Sequence, residues 1–427
     1  MNRVFLSTSK FIILILTFYI GCTEEPPIVP PPILNDTITV TITDVTHRSV
    51  SINVKTTVNF PNSVIELYRG FNNADTLVAE YPITITDTTI LDDNKGNDLQ
   101  LNTEYTYFAV RRNETGERKD TSNILTAKTL NATNFNYTWQ EFFIGEWNSV
   151  LFDVWGTGEN NVYACGTIMI NDTTAYGIIK WNGVEWLPEK EIGGLLSIYG
   201  FSPSDIWAVG GGVWHYNGSE WEEYTYTDPV ITNNITYTSI WGTSSANVYF
   251  GNVGGKIIHW DGIKASVVYT NESDVQVMDL DGYSSDFIIG VGIGFTPPLL
   301  AIYYNGISWN KLPIENDPSL YSVAIVYRNH IYFAGSGIYQ MKGNNFSRIY
   351  TSGYFMYDIE YNKQNGVTVA AGPFDGVYIN NGIEWRDYRS QISSDNTAYS
   401  GIFLINNTVF CVGSTLNEAK IIIGKNN

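Results

Sequence analysis

The chain has 427 residues, room for two or three domains, and carries 24 basic against 43 acidic side chains, a net charge of −19. No basic run interrupts that balance, which excludes a partner held through phosphates, because nucleic-acid binding needs clustered Lys and Arg. Only 16% of residues are charged, whereas Tyr (29), Phe (20) and Trp (12) abound; this composition predicts an all-β protein of strands joined by tight turns.

Arg3 and Lys10 lead into the apolar run Phe11–Ile20, followed by Gly21-Cys22. The run is too short to span a bilayer comfortably and reads as a secretory signal. Tyr19-Ile20-Gly21-Cys22 resembles the lipobox of bacterial lipoproteins, with Tyr19 where Leu is usual. The resemblance implies diacylation of Cys22, residues 1–22 being the signal peptide; an ordinary signal cleaved nearby is the alternative. Thr23 is not the Asp of inner-membrane retention, and Glu24-Glu25 is similar to the acidic surface-export signal of some lipoproteins. Residues 23–34 form a Pro-rich linker, whose polyproline stretch rises roughly 3.1 Å per residue and would act as a stalk. The expected location is the outer membrane, surface-exposed, with the lipid anchor as the sole membrane contact.

Residues 35–131 carry about seven strand signals, among them Ile38–Thr43, Val50–Val54, Val64–Tyr68 and Thr88–Leu91. Leu99-Gln-Leu-Asn-Thr-Glu-Tyr105 then resembles the tyrosine corner of fibronectin type III domains, with Leu101 in place of the usual Pro and Val54 in place of the strand-B Trp. The resemblance implies an immunoglobulin-like sandwich that serves as a spacer. The acidic loop Leu91–Asp98 lacks EF-hand spacing and reads as a solvated loop.

From residue 132 onward a unit of about 40 residues repeats. Strands end at Gly166, Gly210, Gly251, Gly292, Gly335, Gly372 and Gly413. Each of the first six is followed by a turn such as Asn182-Gly183, Asn217-Gly218 or Asp261-Gly262, expected to be a two-residue hairpin turn. Three residues past the turn Gly stand Trp186, Trp221, Trp309 and Trp385, with Ala265 and Phe346 in the other two units. Units of this length with four strands are propeller blades. The pattern resembles secreted bacterial propellers with W-G-x-S-x-x-D-V-W-x-V-G…H-W-D-G-x-x-W repeats, seen here as Ile240-Trp-Gly-Thr-Ser-Ser-Ala-Asn-Val-Tyr249. Residues 132–427 are therefore expected to form a seven-bladed β-propeller.

Gly424 falls where the seventh turn belongs, which leaves the last unit short of its outer strand. The orphan segment Asn136–Gly145, with Trp139 matching Trp186, is expected to supply it alongside Ile421–Ile423 and so remove two sheet edges. Cys165 and Cys411 fall on opposite strand faces by alternation and are expected to be buried thiols rather than a bridge.

Catalytic signatures are sparse. His215 and His259 share a repeat position filled elsewhere by Lys180, Tyr303 and Gln340, which reads as a blade-surface position and not a metal site. No H-E-x-x-H, G-x-S-x-G, Walker loop or C-x-x-C occurs. Asp153, Asp279 and Asp358 lie on or near first strands of their units, from which they could approach the axis. Trp155, Tyr199 and Trp241, beside the loops of one face, are the candidate ligand-binding residues; no cofactor, metal or catalytic residue is expected. The resulting expectation is a non-enzymatic surface binding or adhesion lipoprotein for a glycan or protein ligand. The alternatives are a glycan-cleaving enzyme with axial carboxylates and a scaffold of an envelope assembly.

Overall fold

The computed structural model describes residues 38–56, 62–82, 86–224, 235–271, 275–294, 299–314 and 318–427. Cys22 and the Pro-rich linker lie outside the described residues, within which every regular element is a strand except one 3₁₀ turn, Arg389–Gln391.

Residues 38–128 build two antiparallel sheets. One orders Ile38–Val45, Val50–Thr56 and Asp87–Asp92; the other orders Ala74–Pro82, Val64–Phe71 and Glu104–Arg112, with Arg118–Thr121 and Leu125–Lys128 both against the last. Alternate side chains of both sheets, including Ile52, Val54, Ile65, Leu67 and Tyr107, close one core. Leu99 is buried in it, and the Tyr105 hydroxyl accepts the Gln100 N–H at 3.0 Å.

Seven four-stranded antiparallel sheets follow, taken in chain order as 150–190, 195–223, 237–270, 275–311, 320–350, 358–387 and 398–426. The seventh draws its outer strand from Tyr137–Ile144, in register Ile421↔Phe142, Ile422↔Glu141, Ile423↔Gln140 and Gly424↔Trp139. Each innermost strand contacts the next, and the last, Ala398–Ile405, contacts the first, Val150–Gly158. The sheets thus close a ring, the architecture of a β-propeller.

The repeat glycine has a mechanical reason. In six innermost strands the register slips near the start of the strand, between Leu151 and Asp153, Leu195 and Ser197, Tyr237 and Ser239, Val277 and Asp279, Leu320 and Ser322, and Tyr399 and Gly401. Such a β-bulge turns an extra residue toward the axis and pushes backbone onto the next strand. A Cβ at Gly166, Gly210, Gly292, Gly335 or Gly413 would collide with the carbonyl of Val150, Gly194, Gln276, Ser319 or Ala398. The glycine is needed for close approach.

The outer turns differ from the two-residue expectation. Trp181 pairs with Trp186, so the turn holds four residues. Asn182 stays at negative φ and its side-chain oxygen accepts the N–H groups of Val184 and Glu185, both at 2.9 Å, while Gly183 alone takes φ 96°. Asn217, Asp261, Asn305 and Asn381 repeat the arrangement. A side-chain acceptor that satisfies two turn donors makes the longer loop self-sufficient.

The repeat histidines are also corrected: they are half-buried cross-strand partners rather than surface residues. His215 pairs with Trp207 and His259 with Tyr249, ring centres 4.3 and 4.4 Å apart, and the imidazoles reach Asp205 and Asn247. Cys165 and Cys411 are free and buried, in separate cores.

The two-sheet unit is docked on the ring. The His47 imidazole fills the space over Gly366 and Gly382, where a Cβ would strike it. The Asn381 side chain donates to the Thr133 carbonyl at 2.8 Å. The acidic loop expected to be solvated instead joins this contact: Lys342 reaches Asp98 and lies 3.9 Å from Asp93, while Asp92 is held by Arg69 and the Tyr107 hydroxyl.

Candidate functional site

The innermost strands enclose an axial cavity of about 630 Å³. The residues that the bulges turn inward line it, among them Phe152, Thr238, Met278 and Tyr321. The position after each of the six bulges, and its counterpart Asp358 in the sixth sheet, reads Asp153, Ser197, Ser239, Asp279, Ser322, Asp358 and Gly401 around the ring. The three acids noticed in the sequence are therefore brought together on the axis.

They act first as clasps between neighbouring sheets. Asp153 accepts the Ser197 hydroxyl and the Ile198 N–H, both at 2.9 Å, and its own following N–H at 2.7 Å. Asp279 repeats this on Ser322 and Val323 at 2.8 and 2.9 Å, and Asp358 accepts the Ile402 N–H at 2.7 Å. Asp281, two residues along the fourth sheet's strand, takes the Ile325 N–H at 2.7 Å. Backbone donors that point at carboxylates replace the water these groups lose on burial.

Ser322 Oγ lies 2.8 Å from Asp279 and 2.7 Å from Asp358. Burial, then the charges of Asp279 and Asp153, push the pKa of Asp358 well above the usual carboxylate range. Burial likewise raises Asp153 to about 6, against the pull of its backbone and Ser197 bonds. Burial, together with the Asp279 charge, raises Asp281 to about 7.

Glu360 differs from all four. It lies on the sixth sheet's inner strand and lines the cavity, with its side chain exposed to the solvent there. Among the described residues it has no hydrogen bond or ion pair. Enclosure by the channel walls, then the charges of Asp358, Asp281, Asp279 and Asp153, push its pKa well up. Among the described residues the one cation on the lining is Lys363, whose Nζ sits 5.0 Å from the centre of the Tyr283 ring.

Trp155, Tyr199 and Trp241 all line the same cavity. Each also joins adjacent sheets: a Cβ at Gly200 would fall 2.6 Å from the Trp155 ring, one at Gly282 would strike Trp241, and the Tyr199 hydroxyl donates to the Gly242 carbonyl at 3.3 Å. Sequence reasoning missed Asp281, Glu360 and Lys363. Asp281 and Glu360 occupy the repeat position of Trp155 and Trp241, and an acid in an aromatic position was the available signal. Among the described residues no group of three or more His, Cys, Asp or Glu is placed to hold a metal ion.

No protein-family model matches the chain, and no curated protein matches its sequence. Solved structures do resemble it. YCF48 bound to D1 peptide is 13% identical with a TM-score of 0.53, the match covering 70% of this chain and 100% of that one. The WD40 β-propeller domain of Doa1 is 16% identical with a TM-score of 0.50, covering 67% of this chain and 96% of that one. At such identities the likeness concerns the fold, and that fold is the β-propeller.

Proposed function

We propose that this protein is a non-enzymatic binding module, a surface lipoprotein anchored through Cys22, whose propeller takes a protein or glycan ligand at the axial channel. In this reading the ring is a seven-bladed propeller closed by residues 137–144, and residues 35–131 are a fibronectin type III-like spacer, for which the Tyr105 corner speaks. The observation that carries the proposal is the open cavity of about 630 Å³ on the axis, the size of a ligand pocket. Trp155, Tyr199 and Trp241 contribute to its wall. The carboxylates favour binding over catalysis, because Asp153, Asp279, Asp281 and Asp358 are engaged by neighbouring backbone. YCF48, solved with a peptide, is an example of a propeller of this general shape that binds one.

The test is capture by the full chain on peptide and glycan arrays, before and after the channel is plugged. Met278→Cys labelled with a bulky maleimide places the plug in the lining. Loss of capture on labelling supports the channel as the site; unchanged capture removes it. One observation favours a second reading, a glycan-cleaving enzyme: the pKa of Asp281 is pushed up to about 7 and that of Glu360 well above the usual carboxylate range, the direction a general acid needs. Release of reducing sugar ends lost in Glu360→Gln would establish that reading in place of the first.

A further inference from the structure

We infer that the axial channel holds a cationic side chain of a bound protein segment, a Lys ammonium or Arg guanidinium, against Glu360. The inference rests on the channel being the ligand site and names the chemistry it takes.

Five carboxylates and one lysine line the cavity. In Asp153, Asp279, Asp281 and Asp358 both oxygens already accept hydrogen bonds from the walls, whereas Glu360 offers two unoccupied acceptors to the solvent. The neighbouring Tyr361 also contributes to the lining, and its hydroxyl is buried with no hydrogen-bond partner among the described residues. Low-dielectric walls strengthen the attraction for a cation and repel an anionic glycan. A neutral sugar would need aromatic faces, but Trp155 and Trp241 each lay one on a glycine of the neighbouring sheet. With no metal-holding group among the described residues, an organic cation is the fitting occupant.

A cation beside Glu360 favours its ionised form and that of its neighbour Asp281, whose pKa is pushed up to about 7, so binding at pH 7 is expected to release protons.

The experiment is isothermal titration of the full chain at pH 7 and low salt with trilysine and triarginine. Trinorleucine and tricitrulline serve as neutral counterparts, and two buffers of different ionisation heat count the protons. Both cationic peptides are expected to bind at least about tenfold tighter than the neutral ones, with proton release. Glu360→Gln, which breaks no hydrogen bond, should fold normally and weaken binding by at least about tenfold. Equal binding of neutral and cationic peptides, unchanged binding by Glu360→Gln, or no binding of either cationic peptide overturns the inference. Array capture abolished by the Met278→Cys plug would then still leave the channel as a site of other chemistry, while capture that survives the plug removes both readings.

Discussion

At the closing sheet one lysine is shared by two carboxylates; along the axis, among the described residues, five carboxylates line the cavity with one lysine, and none of them is ion-paired to it. Lys420 is fully buried, 2.9 Å from Glu141 on the borrowed strand and 2.6 Å from Asp395. Burial alone would raise both acids, but Lys420 and the Ser393 and Thr397 donors outweigh it, and both titrate below the usual range. In the channel burial wins, and the acids titrate above it. The closing cluster gives Glu141 and Asp395 a counter-charge in Lys420 and serves stability, although burial and the neighbouring Asp395 push the pKa of Asp375 up. The channel is incomplete, and that incompleteness is what a ligand can use.

The largest effect expected is from removing residues 419–427. This deletes Lys420 together with buried Ala419, Ile421, Ile422 and Ile423 and strands the Tyr137–Ile144 segment. The ring should not form, seen as loss of the cooperative melt and as aggregation in size-exclusion chromatography. Next, Lys420→Ala should cost about 3 kcal/mol in chemical denaturation, since two enclosed carboxylates lose their counter-charge. Adding Glu141→Gln and Asp395→Asn should recover part of that loss. Asp153→Asn should cost about 2 kcal/mol, because whichever way the amide is turned its nitrogen faces a donor, the Val154 N–H on one side or the Ser197 hydroxyl and Ile198 N–H on the other.

The smallest effect is the sharpest on the comparison, because the two clusters predict opposite pH dependence. Groups with lowered pKa, Glu141 and Asp395, contribute stability above the unfolded-state values near 4 and lose it as pH falls. Groups with raised pKa bind protons more tightly when folded, so stability declines as pH rises from about 4 through the folded values of about 6 and 7 for Asp153 and Asp281. The melting temperature should therefore fall from pH 5 to pH 8. Glu360→Gln should raise it by about 2 °C at pH 8 and leave it unchanged at pH 4. A profile with no alkaline slope would break the contrast.

The propeller was legible because its repeat glycines and turn tryptophans recur for mechanical reasons: the bulge demands the glycine, and the Trp pairs across the turn with a residue such as Trp181. The closing strand was legible through Trp139, which occupies the same place opposite Gly424. Asp153, Asp279 and Asp358 stood out on inner strands. Asp281 and Glu360 did not, because their importance depends on a ring that brings together the fourth and sixth sheets. Lys420 lay hidden in an Ala-Lys-Ile-Ile-Ile run; Glu141, its partner, sits on a strand from the far end of the ring's sequence. The docking of His47 over Gly366 and Gly382 left no local pattern at all.

The most direct test of the uncompensated channel is carboxyl-carbon NMR titration of the Asp- and Glu-labelled protein. Carboxyls with midpoints near 6 and 7 are expected, lost in Asp153→Asn and Asp281→Asn respectively. If every carboxyl titrates below about pH 5, as ordinary solvated or paired acids do, the channel carries no unmet charge and the account of it is wrong.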